Sequence, residues 1–376
     1  VKALLERHPD KILIFSSLTL TMLGIIVIYS ASGPYCQFLN PPKPTWHYML
    51  RQAIWAGVAL VGMYVAYHLN YHVIVRYSPA LLALSVVGLL AVLVISRGSI
   101  RRWINIGGFN FQPSEFFKIA LVAFMARMAA KNINQEFNLK KYATVLGALA
   151  AGAALIIKEP DLGTTALVTG VAISMLFLAG FPMKYILAIG GIFLLTAVIL
   201  VFGFRYEIDR IEQYSITLKD PLAPGASYQT RQSLVSLGSG GVIGKGLGNG
   251  GQKHLFLPAR HTDFILSSAA EEGGFLVLMA ILILFGLIGA SGYRIAKSAM
   301  DIEGSFFAWG ILLFIILQAL INIAVDMGIF PITGMTLPFL SYGGSSLLVC
   351  LVGIGLIASV AKQTKSPRHY FKRVRY

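Results

Sequence analysis

Apolar runs of about twenty residues recur along this chain from residue 12 to residue 361, and that recurrence restricts the fold more than any motif does. A helix needs ~20 apolar residues to cross a bilayer core. Spans are expected at roughly 12–31, 50–69, 78–96, 114–130, 142–157, 162–181, 184–204, 273–293, 305–325 and 340–361, ten in all. Only 12% of the residues are charged and 56% are hydrophobic, against ~25% charged in ordinary soluble domains. The fold class expected is therefore an all-α polytopic membrane protein, one domain over residues 1–376. A large polar segment, 205–262, separates the seventh and eighth spans, and a basic tail follows from 362 to 376. The proline of Lys158-Glu159-Pro160-Asp161 forces a turn between the fifth and sixth spans. Ser30-Ala31-Ser32 offers small residues of the kind that end a signal peptide, but the first run has the length of a permanent span. No internal repeat stands out, which counts against an inverted-repeat transporter.

The formal net charge is +15. No soluble basic domain is present to hold nucleic acid, so Lys and Arg are better read as topology signals and contacts to anionic lipid headgroups. Ten spans put both ends on one side. That side would hold 17 of the 31 basic residues, and 7 of the other 14 fall in the 205–262 segment, which the positive-inside rule discounts as a long loop. Both termini are expected to be cytoplasmic and the 205–262 segment extracytoplasmic. The two cysteines, Cys36 in an expected loop and Cys350 in mid-span, suggest neither a bridge nor a metal site.

Outward-facing polar residues gather in four places. Arg101-Arg102-Trp103 and Gln112-Pro113-Ser114-Glu115 are followed by Lys118 one turn into the fourth span. Pro113, Ser114 and Glu115 suit a helix start, while the arginine pair could anchor to headgroups or grip a phosphate bidentately. Asp161, in Lys158 to Thr164, reads as a cap of the sixth span or part of a polar site. The 205–262 segment carries eight glycines between Gly238 and Gly251. It fails the Walker pattern, because Gly244-Lys245 is followed by Gly246, so flexible loop is the plainer reading. It closes on Arg260-His261-Thr262-Asp263. Thr262 or Asp263 is either an N-cap for a helix beginning at Phe264 or a carboxylate base at the water–bilayer boundary, with the basic Lys253, Arg260 and His261 nearby. Glu271 and Glu272 lie ~12–14 Å further on if the helix continues. The fourth place is Phe330 to Ser346, where Ser341 and Ser345 serve close packing or contact a ligand.

Together these segments resemble the SEDS family, whose branches include FtsW and RodA. The matching stretches are Arg102-Trp103 through Glu115, Pro160 to Thr164, Gly244 to Asn249, Leu257-Pro258 to Phe264, and Leu337-Pro338 through Ser345. Gly246 to Asn249, Gln252-Lys253 and Leu337 to Ser341 are worded more like the division branch, FtsW, than the elongation branch, RodA. Two departures stand out: Glu271-Glu272-Gly273-Gly274 where the family commonly has Glu-Glu-Leu-Gly, and Thr333 where division-type members often carry lysine. The resemblance implies a peptidoglycan glycosyltransferase of the bacterial cytoplasmic (inner) membrane, polymerising lipid II on its outer face at the division septum. It implies that Asp263 is catalytic and that a class B penicillin-binding transpeptidase is the partner.

The donor's α-linked diphosphate and the β-1,4 product need one inverting displacement. Asp263 would take the proton from the acceptor hydroxyl. Arg101, Arg102, Lys118 and Lys253 would meet the charge on the leaving diphosphate, and a divalent cation (Mg2+ or Mn2+) could share that task. Glu115, Asp161, His261, Ser341 and Ser345 complete the set of candidate substrate-binding residues. The rival readings are a lipid II flippase, an elongation-type (RodA-like) polymerase and a non-catalytic division scaffold.

Overall fold

The structure is a computed structural model that describes residues 6–96, 102–106, 109–132, 135–203, 205–221, 223–251 and 256–365. Apolar helices dominate it. In chain order they are α1 (Pro9–Gln37), α2 (His47–His68), the short α3 (Tyr71–Arg76) and α4 (Ser78–Ile95), then α5 (Pro113–Asn132), α6 (Leu139–Lys158), α7 (Leu162–Leu178) and α8 (Met183–Gly203). After them come α9 (Arg205–Lys219), α10 (Tyr228–Ser239), α11 (Ile265–Ser298), α12 (Ile302–Asp326) and α13 (Gly344–Lys365). A helix occupies every stretch expected to span. Among the described residues, α1, α2, α4, α6, α11, α12 and α13 are long and apolar enough to cross a membrane, and α7 and part of α8 are shorter apolar helices.

Several expectations need correcting. The 205–262 segment is not simply irregular, because it contains α9 and α10. Ser227 caps α10 by accepting from the Thr230 amide. Between α4 and α5 the chain forms a small antiparallel hairpin, β1 (Ile104–Ile106) and β2 (Phe109–Phe111), with Asn105 opposite Asn110. Apolar–polar–apolar alternation on both arms favours that pairing. Cys36 lies in the last turn of α1, not in a loop, and is free and buried, like Cys350. Lys362 to Lys365, read as tail, continue α13; residues 366–376 lie outside the described residues.

The centre of the molecule is α13 with α12. In their most apolar windows 78% and 56% of residues are buried, against 28% in α2 and in α4, which form the rim. The α13–α2 contact is close because Gly355 faces the α2 backbone: a Cβ there would stand 2.4 Å from the Met63 carbonyl oxygen. Small residues replace apolar driving force in such contacts, since lipid already solvates large apolar side chains. α11 lies along α1 and α12, and α12 lies along α5.

α11 is broken at Gly274, whose φ of 67° and ψ of −167° only glycine adopts readily. A break leaves orphan amides and carbonyls that a bilayer cannot satisfy. The glycine-rich run satisfies them. Phe275 and Leu276 donate to the carbonyls of Gly241 (2.9 Å) and Val242 (3.2 Å), while Lys245 and Gly246 donate to the carbonyls of Glu271 (3.1 Å) and Glu272 (3.0 Å). Glu271 also accepts from the Lys245 ammonium and the Gly251 amide, and Glu272 from the Ser30 hydroxyl. The flexible-loop reading of these glycines is thus replaced by a fitted one.

Candidate active site

Asp263 stands at the end of a tight turn. Ala259 has a φ of 51°, and its carbonyl accepts from the amides of Thr262, Asp263 and Phe264 at 3.0–3.2 Å. The helix that follows starts at Ile265, with Phe264 in the cap position and no side-chain cap bond of its own. Neither Thr262 nor Asp263 is therefore the N-cap, which removes the plainer explanation for an aspartate here. The turn is clamped from two sides. The Asn322 side chain donates to the carbonyls of Asp263 (2.8 Å) and Met335 (2.7 Å). The Ser341 hydroxyl donates to the Thr262 carbonyl at 2.6 Å, and the Tyr342 amide donates to the His261 carbonyl.

Arg102 faces this carboxylate. A Cβ placed on Gly334 (φ 73°) would lie 3.6 Å from Arg102 Nη1 and 3.9 Å from Asp263 Oδ2. The guanidinium and the carboxylate therefore flank one bare stretch of backbone. Arg102 is aimed by the turn between α6 and α7: its side chain donates to the carbonyls of Glu159 and Pro160, and Nη1 lies 3.9 Å from Asp161 Oδ2. Asp161 caps α7 through the Thr164 amide (3.0 Å), as the cap reading expects, and also accepts from Gln112 (3.4 Å). Arg102, Asp161 and Asp263 form one constellation of opposite charges at the N-terminal end of α11.

The other sequence candidates do not all join it. Lys118 is buried within the helices, 2.9 Å from Glu115 Oε2, and donates to Gln318 at 2.9 Å. Its charge is already engaged, so the expectation that Lys118 and Glu115 bind substrate gives way to a buried ion pair within α5, which the Lys118–Gln318 hydrogen bond ties to α12. His261 is not basic. Burial and the adjacent Arg260 push it down to about 4, and its ring lies among those of Tyr35, Tyr48 and Tyr342. Ser341 and Ser345 spend their hydroxyls on the fold. Ser345 donates to the Asn110 carbonyl and accepts from the Gln112 amide, fixing the hairpin to α13. Arg101 and Lys253 lie outside the described residues.

Sequence reasoning missed the polar stripe of α12. Gln318, Asn322 and Asp326 recur every four residues, so they share one helix face, and all three are buried. That spacing inside an apolar run was the available signal. Glu159 was also passed over. It is fully buried, and burial, reinforced by Asp161 and opposed by Arg102, raises it to about 8.

The family model of FtsW, RodA and SpoVE, described as "Cell cycle protein", matches residues 10–366. The chain belongs to this family. Stage V sporulation protein E of Bacillus subtilis (strain 168) is 37% identical, over 96% of this chain and 99% of its own length. A probable peptidoglycan glycosyltransferase FtsW of Geobacter sp. (strain M18) is 36% identical, over 95% and 97%. Among solved structures, a chain from work on the structural coordination of polymerization and crosslinking by a peptidoglycan synthase complex superimposes with a TM-score of 0.75. It is 25% identical, over 94% of this chain and 98% of that one. The rod shape determining protein RodA of Thermus thermophilus gives a TM-score of 0.69 at 26% identity, over 93% and 96%. The helical membrane architecture is thus that of the FtsW/RodA family.

Proposed function

We propose that this protein is a peptidoglycan glycosyltransferase that polymerises lipid II on the outer face of the bacterial inner membrane, in the septum. The family, and the names of its relatives, support the reaction class. The observation that carries the site is that Asp263, which is not the N-cap of α11, sits on a clamped turn with its carboxylate and the Arg102 guanidinium both beside Gly334.

In this reading the ten helices that occupy the expected spans all cross the membrane, both termini are cytoplasmic, and the 205–262 segment lies outside. The carboxylate of Asp263 takes the proton of the acceptor sugar's hydroxyl as that oxygen bonds to the donor's anomeric carbon. The bond from that carbon to the undecaprenyl diphosphate breaks, and its electron pair leaves with the diphosphate. General-base catalysis of this kind contributes typically ~10²–10⁴-fold. Arg102, whose Nε and one Nη are held by carbonyls, is pre-aimed to meet the growing negative charge. By sequence position Arg101, next to Arg102, and Lys253 are further candidate cations for that charge. A divalent cation (Mg2+ or Mn2+), held between a carboxylate such as Asp263 and the diphosphate oxygens, would share in neutralising that charge. The partner in this reading is a class B penicillin-binding transpeptidase.

The deciding assay gives purified protein, with and without that transpeptidase, fluorescent lipid II in detergent and in liposomes. Glycan chains from wild type and none from Asp263→Asn, which should still insert and bind its partner, support the reading. Polymer from Asp263→Asn at near wild-type rate removes Asp263 as the base. Translocation without polymer makes the protein a flippase, and neither activity makes it a scaffold.

A further inference from the structure

The N-cap residue of α11, Phe264, makes no side-chain cap bond, yet the first turn of the helix is capped. Asp326, the last residue of α12, accepts from the Ser267 backbone amide at 2.9 Å and from the Ser267 hydroxyl at 3.0 Å, both through Oδ2. With Ile265 as the first helical residue, Ser267 is the third, whose amide an N-cap side chain ordinarily serves. The cap is therefore supplied by another helix, across 59 residues of sequence.

Asp326 is in an unfavourable place by every local rule. A carboxylate at a helix C-terminus opposes the dipole of its own helix. This one is fully buried, and its Oδ1 has no hydrogen-bond partner among the described residues. A buried carboxyl group half satisfied is a destabilising feature, and local violations of this kind concentrate where function requires them. Its surroundings fix it firmly. The Ser233 hydroxyl of α10 donates to the Asp326 carbonyl at 2.7 Å and lies 2.6 Å from the Ser267 hydroxyl, so three helices meet in one dry knot. One turn earlier on α12, Asn322 holds the Asp263 carbonyl. A single helix face thus grips the backbone of Asp263 and the start of the helix that Asp263 precedes.

We propose that Asp326 is a positioning residue for Asp263, fixing the first turn of α11 so that the Asp263 carboxylate faces Arg102. This rests on the reading of Asp263 as the base, and the test separates the two. Purified Asp326→Ala and Asp326→Asn are compared with wild type and Asp263→Asn in two measurements. One is hydrogen exchange of the peptide covering 260–270, which needs no activity. The other is kcat and KM for fluorescent lipid II, per mole of protein that binds the transpeptidase.

Asparagine caps helices as well as aspartate does. Asp326→Asn should therefore keep wild-type exchange and turnover. Asp326→Ala should speed exchange in that peptide alone and lower kcat about 3- to 30-fold with KM unchanged, the range expected for loss of one cap. Unchanged exchange in Asp326→Ala overturns the proposal, as does faster exchange with undiminished kcat, or a loss that asparagine does not rescue. If wild type makes no polymer, the base reading fails, and unaltered exchange would still refute the capping role.

Discussion

Glu159 shows how far burial can carry a single side chain. At neutral pH a carboxyl raised to about 8 stays protonated in the folded protein, while the unfolded chain has already lost the proton. The folded state then binds more protons than the unfolded one between the ordinary glutamate range and pH 8, so stability falls as pH rises through that window. The slope is at most about 1.4 kcal/mol per pH unit for one group. Glu159→Gln should remove this loss. Thermal denaturation in detergent should show the variant gaining over wild type from pH 5 to pH 8, and a pH-independent difference would refute it. The Glu115–Lys118 pair behaves oppositely. Removing one partner leaves the other buried and charged, so Lys118→Met should destabilise by about 3–5 kcal/mol. The double variant Glu115→Gln, Lys118→Met should recover most of that in the same measurement. Asp263 was legible from sequence as a base or a cap, because both roles want an aspartate before a helix. The backbone bears on the cap alone: the helix starts at Ile265 with Phe264 as its N-cap, while the base role belongs to the proposed function. Lys118 was misread for a related reason: its partner Gln318 is 200 residues away, and no local pattern reveals who already holds a charge.

At the scale of elements, hydrophobic runs located the helices well because membrane spans are long and their composition is extreme. They failed at ends and breaks. The apolar run read as 273–293 is the second part of a longer helix whose first turns are polar and buried, with Ser267, Ser268, Glu271 and Glu272 all inside. The hairpin of β1 and β2 was missed because strands of three residues are too short to announce themselves against a membrane background. The break in α11 makes a firm prediction. A Cβ on Gly274 would lie 2.3 Å from the Gly244 nitrogen and 2.5 Å from the Val242 carbonyl oxygen, on a backbone that only glycine favours. Gly274→Ala should therefore detach the glycine-rich run from α11. Limited proteolysis should cut Gly274→Ala near residues 240–251 at protease levels that leave wild type whole. A conservative change at Gly286, where a Cβ meets nothing within 4 Å, serves as the control.

For the molecule as a whole, the polar machinery is built around the most buried helices rather than hung on the loops. α12 is apolar on most of its surface, yet one face carries Gln318, Asn322 and Asp326 past Lys118, the Asp263 turn and the start of α11. The rim helices, with large apolar side chains such as Leu84 and Val94 exposed, are free to meet lipid or another membrane protein without disturbing that face. The stitching of the glycine-rich run to α11 has a consequence for chain length. Four backbone bonds tie residues 241–246 to residues 271–276 in fixed pairs, so this part of the 205–262 segment behaves as a measured strip and not as slack. One extra residue between Gly241 and Gly246 would shift at least one side of the pairing and unseat Glu271 and Glu272 with it. The same insertion between Asp220 and Ser227, in the turn that joins α9 to α10, would leave every pair in register. Relatives that differ in the size of this segment should therefore differ outside the two paired strips, and keep the counts from Gly241 to Gly246 and from Glu271 to Leu276 constant.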